Sequence, residues 1–382
     1  MKELVRAAER VVSAYFDQGV ALRVEQVLPD RLFSVIVRVR TVAAPSHVPG
    51  SFVVKAAAPG HAHQVYNDWA ALQLLTDLSA GREPLGPRCY GGDRATPLVV
   101  MEDLGPGDGS PHELVEGDDP EAATASLLAY IRAVARLHVD TRGRRGDYLR
   151  LRGAIDPPKP LYHDPWSDAA ARTEQEITAA IREYHDVLGT LGLTAAAGVD
   201  DEIAEVTRRV EVDPGPLLAL CQGDQNGQGN CLLADGRLRL HDFGSGGFRH
   251  ALVEGLPHRI TWGCIRRVPE TVAAAMDRAY QEAHPDLADD ATFRRAATDA
   301  MTRWHVFHVI WRVPDALRRD HPRNPEATLR QQVVAWIDAY VDWADDGTAL
   351  ARTARRLVER LRERWPAYTH TIGYLPAYGT RS

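Results

Sequence analysis

Leu220-Cys221-Gln222-Gly223-Asp224-Gln225-Asn226-Gly227-Gln228-Gly229-Asn230-Cys231-Leu232-Leu233-Ala234-Asp235-Gly236-Arg237-Leu238-Arg239-Leu240-His241-Asp242-Phe243-Gly244-Ser245-Gly246-Gly247 is the stretch whose reading decides the fold. Apolar runs flank two polar clusters. The turn pair Asp235-Gly236 joins two strand-like segments, Cys231–Leu233 and Leu238–Leu240. A hairpin returns on itself, so Asp224 and Asn230 before one strand and Asp242 after the other are expected at one end. Three oxygen-bearing side chains around a gap suit a magnesium–phosphate centre: hard ligands for the ion, and a carboxylate left to orient a hydroxyl.

Upstream, the periodicity is mixed. Residues 3–16 read as a helix with Leu4, Ala8, Val11 and Val12 on one face. Leu22–Leu28, Leu32–Val39 and Phe52–Ala56 read as strands, the second with Phe33, Val35, Val37 and Val39 on one side. A helical stripe of Val65, Trp69, Leu72 and Leu75 follows, then strands at Arg88–Tyr90 and Leu98–Glu102 and the loop beginning at Gly105. Residues 1–103 are therefore expected to form a compact α+β lobe with a small antiparallel sheet, joined by a hinge at about 101–105 to a mainly helical lobe at 104–382. In that second part Asp119-Pro120 starts a helix running to about His138. Residues 140–165, rich in Gly, Pro and Arg, read as loop. Further helices are expected at Asp168–Thr190, Asp200–Val210, Glu270–Ala283, Ala291–Trp311, Glu326–Trp343 and Thr348–Arg364.

Asp224 after Gln222-Gly223, then Asp242-Phe243-Gly244, resembles the catalytic core of the aminoglycoside phosphotransferase family, relatives of choline kinases and more distantly of protein kinases. Phe52-Val53-Val54-Lys55 is similar to the strand that presents a phosphate-binding lysine, and Asp68 falls where the family pairs a helix glutamate with it. Met101-Glu102-Asp103-Leu104-Gly105 is similar to the hinge that holds adenine through its backbone. Gly247-Phe248-Arg249-His250-Ala251 and Leu375-Pro376-Ala377-Tyr378 resemble a subgroup of bacterial phosphotransferases.

The resemblance implies a two-lobed, protein-kinase-like fold and transfer of the γ-phosphoryl of ATP or GTP to a hydroxyl of a small molecule such as an antibiotic, sugar, nucleoside or amino alcohol. Asp224 would act as base, Asn230 and Asp242 would hold Mg2+, and Lys55 would neutralise phosphate charge. Glu102 and Leu104 would hold the purine through backbone groups.

The chain departs from the family pattern in four places. Gln222 stands where members usually carry histidine. Asn230 lies six positions after Asp224 rather than five. Asp68 is one methylene shorter than glutamate, so a looser or water-bridged contact with Lys55 is expected. The turn Pro29-Asp30-Arg31-Leu32 has no glycine, which leaves Arg31, Ser34 or backbone amides to cover the phosphates.

Composition narrows the field. A net charge of −7 argues against a nucleic-acid partner. Four scattered cysteines (Cys89, Cys221, Cys231, Cys264) form no C-x-x-C pair, and no apolar run reaches membrane-spanning length, so a cytoplasmic protein is expected. Two alternatives stay open. The cluster Arg142, Arg144, Arg145, Arg150 and Arg152 would suit an acidic peptide, hence a Ser/Thr peptide kinase. The departures at the loop and turn would suit a binding protein that kept the fold without turnover. Trp304, Phe307 and Trp311, at helical spacing, read as core rather than an aromatic cage for the acceptor.

Overall fold

The computed structural model describes residues 1–28, 33–106, 109–156, 174–223, 229–234, 236–260, 266–324, 327–368 and 373–379. The chain opens with α1 (Lys2–Phe16), β1 (Ala21–Val27), β2 (Ser34–Ala43), β3 (Ser51–Ala57), α2 (Ala62–Leu78), β4 (Cys89–Asp93) and β5 (Leu98–Glu102). Next come α3 (Pro111–Val115), α4 (Pro120–Thr141), α5 (Arg145–Ile155), α6 (Glu174–Thr190) and α7 (Val199–Thr207). Four short strands follow: β6 (Leu218–Cys221), β7 (Cys231–Ala234), β8 (Arg237–Leu240) and β9 (Gly247–His250). The remaining helices are α8 (Leu252–Gly255), α9 (Pro257–Ile260), α10 (Glu270–Ala283), α11 (Asp290–Arg318), α12 (Leu329–Trp343) and α13 (Ala349–Arg364).

The chain divides into two compact units. The first takes the described residues of 1–111, 139–167 and 219–248, and the second takes the rest. These elements agree with the α+β class that the sequence predicts: a small antiparallel sheet in the first unit and a mainly helical second one. None of the described helices is long and apolar enough to cross a membrane.

In the first unit the sheet has five strands in the order β1-β2-β3-β5-β4, and every pairing is antiparallel. Alternation sets its two faces. Phe52, Val54 and Ala56 of β3 join Val37, Val39, Leu98 and Val100 beneath Leu4, Ala7, Ala8 and Val12 of α1. The buried valine, leucine and phenylalanine side chains among these contribute about 1.5–3 kcal/mol each. Lys55 must then point to the opposite face, with Ser34 and Ile36 beside it, because Ser34 pairs with Ala57 and Ile36 with Lys55. The expected apolar side of β2 holds only in part. Val37 and Val39 are buried, but Val35 is exposed beyond the α1 core, and Phe33 precedes the strand and rests 4.7 Å from the His61 ring.

Another correction concerns residues 145–155, which are helical rather than loop. The stripe buried by α5 is Tyr148, Arg152 and Ile155. An arginine in the middle of that stripe hides the helical period from any apolar count. Arg144 and Arg150 both reach Asp147, so the expected basic cluster is partly neutralised within the helix.

The helical unit follows the periodicity closely. Asp119 caps α4 by accepting from the Glu121 and Ala122 amides, and Thr328 and Thr348 cap α12 and α13. α11 runs past Trp311 to Arg318, with Pro314 inside it. Of the three aromatics on α11, Trp304 and Phe307 are core, while Trp311 is half-exposed and stacks on Phe307.

Candidate functional site

Lys55 lies within the apolar strand β3 and is 7% exposed, so its ammonium requires compensation. It has two partners. Nζ donates to Asp68 Oδ2 at 2.5 Å and to Asp242 Oδ1 at 2.6 Å. Burial alone would pull its pKa down, but the Asp68 and Asp242 carboxylates outweigh that and hold the group above an ordinary lysine. Asp68 is fully buried; burial pushes its pKa up to about 6 against the pull of Lys55, with Asp242 pushing the same way. At neutral pH Lys55 and Asp68 are therefore both charged.

The contact between Lys55 and Asp68 is direct, neither looser nor water-bridged as the shorter side chain suggests. Close approach of α2 to the sheet supplies the missing methylene. Gly92 of β4 has no side chain, and a Cβ there would meet the Trp69 ring at 2.5 Å. A glycine at this one position lets Trp69, and Asp68 beside it, sit lower on the sheet.

Asp242 stands just beyond the hairpin of β7 and β8, whose register pairs Cys231 with Leu240 and Leu233 with Leu238, as expected. Gly236 turns the hairpin at φ 70°, while Asp235 lies outside the described residues. Asp242 has φ 61°, and Asp17 is the other described non-glycine residue with positive φ. Such a backbone costs about 1–2 kcal/mol and persists only where its surroundings impose it. Here Phe243 N–H donates to Asp68 Oδ1 at 2.5 Å, and Asn67 Nδ2 donates to the Gly244 carbonyl at 3.0 Å. The Asp242 side chain is 36% exposed.

Asn230 is buried at the same end of the hairpin. Its carbonyl accepts from His241 N–H at 2.9 Å, one residue before Asp242. Gln222 explains itself here. Its side-chain NH2 donates to the carbonyls of Asn230 at 2.9 Å and His241 at 2.6 Å. A neutral histidine offers one N–H, whereas an amide offers two, and this hairpin presents two carbonyls. Asp224 and Arg31 lie outside the described residues.

At the expected hinge segment, the Glu102 carboxylate accepts from Arg88 N–H at 3.0 Å, and its own N–H donates to the Arg88 carbonyl at 2.9 Å. Asp103 accepts from Gly105 N–H at 3.0 Å and from Arg38 Nε at 2.8 Å. That Asx turn fixes the backbone on either side of Leu104. Ser34 is buried on the Lys55 face.

The structure thus brings Lys55, Asp68 and Asp242 into one cluster and sets Asn230 one ladder position from it. Two carboxylates share one ammonium, so the cluster favours a further cation. A partly exposed Asp242 carboxylate beside the Asn230 end of the hairpin is an oxygen donor set that fits a hard divalent ion such as Mg2+. Sequence reading missed Asn67 and Arg152. Asn67 could have been noticed as the neighbour of Asp68; Arg152 carries no signal beyond its spacing with Tyr148 and Ile155.

No family model matches the sequence, and no curated protein does. Among solved structures, the chain is similar to an aminoglycoside phosphotransferase from Alicyclobacillus acidocaldarius, at 12% identity and TM-score 0.47 over 89% of this chain and 92% of that one. It is also similar to a choline/ethanolamine kinase family protein from Mesorhizobium loti, at 17% identity and TM-score 0.44 over 88% and 92%. A choline kinase from Streptococcus pneumoniae matches at 12% identity and TM-score 0.39 over 94% and 98%. The chemistry rests on the geometry of the cluster.

Proposed function

We propose that the protein is a phosphotransferase that moves the γ-phosphoryl of ATP or GTP to a hydroxyl of a small molecule, in the class of antibiotics, sugars, nucleosides or amino alcohols. One observation carries the reading: a buried lysine shared by a helix carboxylate and by Asp242, which stands on a positive-φ turn. A structural ion pair needs only one carboxylate; the second is the half-open one. When nucleotide binds, Lys55 turns from Asp242 toward the α- and β-phosphates while Asp68 keeps its ammonium in place. Asp242 and Asn230 would hold Mg2+, which would draw charge off the phosphate oxygens. The backbone around Glu102 and Leu104 holds the purine, and Ser34 lies under the phosphates. Asp224 accepts the proton of the acceptor hydroxyl as its oxygen bonds to the γ-phosphorus and the bond to the β,γ-bridging oxygen breaks, leaving the nucleoside diphosphate.

The peptide alternative loses its motivation, since Arg152 is buried and Arg144 and Arg150 share Asp147. The test has two steps. Thermal unfolding is followed with ATP or GTP, with and without Mg2+, for the wild type and Lys55→Met. Phosphate transfer to a panel of hydroxylated metabolites and antibiotics is then followed for the wild type and Asp224→Asn. A magnesium-dependent shift lost in Lys55→Met, with transfer lost in Asp224→Asn while binding survives, is expected. No shift with either nucleotide would remove the assignment. A shift without transfer to any acceptor would favour the binding-protein alternative.

A further inference from the structure

Adjacent residues of α2 grip both ends of the turn that presents Asp242. Asp68 takes the Phe243 N–H, and Asn67 gives a proton to the Gly244 carbonyl at 3.0 Å. The Asn67 contact has a weakness that the Asp68 contact lacks. A side-chain amide fits its site either way round, and reversed it would set oxygen against oxygen at Gly244. Arg152 of α5 removes that freedom. A guanidinium can only donate, and its Nε lies 2.9 Å from Asn67 Oδ1. With the oxygen taken, the NH2 is left for Gly244. Arg152 is itself immobilised: it is 4% exposed, its Nη1 donates to the Asp156 carbonyl, and its guanidinium lies over the Tyr66 ring at 5.5 Å.

We propose that Asn67 and Arg152 are positioning residues for the metal-holding turn. Arg152 fixes the Asn67 amide, the amide fixes the Gly244 carbonyl, and the two α2 contacts together hold Asp242 at positive φ with its carboxylate aimed at the cation. The inference rests on the phosphotransferase reading for what the turn does, but not for what holds it. The competing account makes Arg152 a core arginine that caps α5 and packs on Tyr66, with no influence on the turn.

The experiment compares Asn67→Asp, Asn67→Ala, Arg152→Ala, Arg152→Lys and the Asn67→Ala/Arg152→Ala pair in the full chain. Asn67→Asp is the sharpest variant: it is nearly isosteric and keeps an acceptor for Arg152, but has no proton for Gly244. The first readout is amide hydrogen exchange at Phe243–Gly246 without nucleotide. Exchange at least tenfold faster is expected in Asn67→Asp, Asn67→Ala and Arg152→Ala, with partial rescue in Arg152→Lys. The double variant should be no faster than either single, because both act through one contact.

The second readout is the Mg2+ concentration that half-saturates ATP turnover. It should rise at least tenfold in the same variants, while ATP binding in EDTA stays within about twofold. Unchanged exchange at the turn in Asn67→Asp, or a lowered Tm with unaltered exchange and metal dependence in Arg152→Ala, would overturn the proposal. Were the wild type to bind no nucleotide, the assignment of function would fall while the exchange readout still decided this inference.

Discussion

Lys55 and Asp68 are a buried ion pair whose two members answer differently to substitution and to pH. Lys55→Met leaves the fully buried Asp68 without its cation, and a loss of about 3–5 kcal/mol is expected in urea unfolding. Asp68→Glu, although it restores the residue usual in the resembled family, adds a methylene where Trp69 already lies against Gly92, and about 1–3 kcal/mol of overpacking should result. Either number is read from the shift in urea midpoint at constant slope. The pH dependence has a defined sign. Asp68 is raised to about 6 from the ordinary 3.8, so the folded state keeps its proton to higher pH than the unfolded one. Its contribution is therefore most favourable below about pH 4 and declines as pH climbs through 6, by up to about 1.4 kcal/mol per pH unit. Lys55 is raised above 10.5, so its contribution is complete below that pH and is lost only as pH passes its folded value. Unfolding measured from pH 4 to 6 should show the stability of Asp68→Asn rising more steeply with pH than that of the wild type, the difference in slope being the Asp68 contribution.

At the scale of elements, the hairpin and α5 make opposite cases for what a sequence discloses. The hairpin was legible because its turn pair, its alternation and its two flanking polar clusters agree. Even the departure at Gln222 becomes intelligible once two carbonyls are found at its amide. Gln222→Glu puts a carboxylate against both of them and should cost about 1–3 kcal/mol, more than Gln222→His, which keeps one donor. Thermal unfolding of the two variants, with equal or reversed costs as the contrary result, decides it. α5 was illegible because its inward stripe is centred on an arginine, and an arginine on an inward face reads as surface. The Lys55–Asp68 contact was misjudged for a related reason: side-chain length was visible, but the glycine that draws α2 toward the sheet acts from another element.

Across the whole molecule, the alternation and helical stripes along the chain were enough to anticipate a small sheet followed by helices, while the interleaving of the two units was not legible. Composition also concealed the buried histidines of the helical unit. His305 stacks on Tyr340 at 4.2 Å and His308 on Trp336 at 4.0 Å. Burial pulls His305 down to about 3, His250 to about 4, and His308 well below its usual value. Lowered histidines reverse the sign found for Asp68: the unfolded chain binds protons that the folded one refuses. Stability should therefore fall as pH drops from about 6.5 toward 4, each histidine adding about 1.4 kcal/mol per pH unit to the slope. Three such groups outweigh one carboxylate. Circular dichroism over an acid titration should show cooperative loss of helix in that window, and a signal flat to pH 4 would contradict the account.

The hydrogen bond from Lys55 to Asp242 spans 187 positions of sequence, and that separation becomes an interval during synthesis. At about 5–20 residues per second, the nascent sheet waits roughly 10–40 s on the ribosome before the turn that completes its charge pairing has been made. Through that interval Lys55 has Asp68 but not Asp242 to pair with. Substitutions among the residues proposed to handle phosphate should therefore lower the yield of soluble protein as well as its activity.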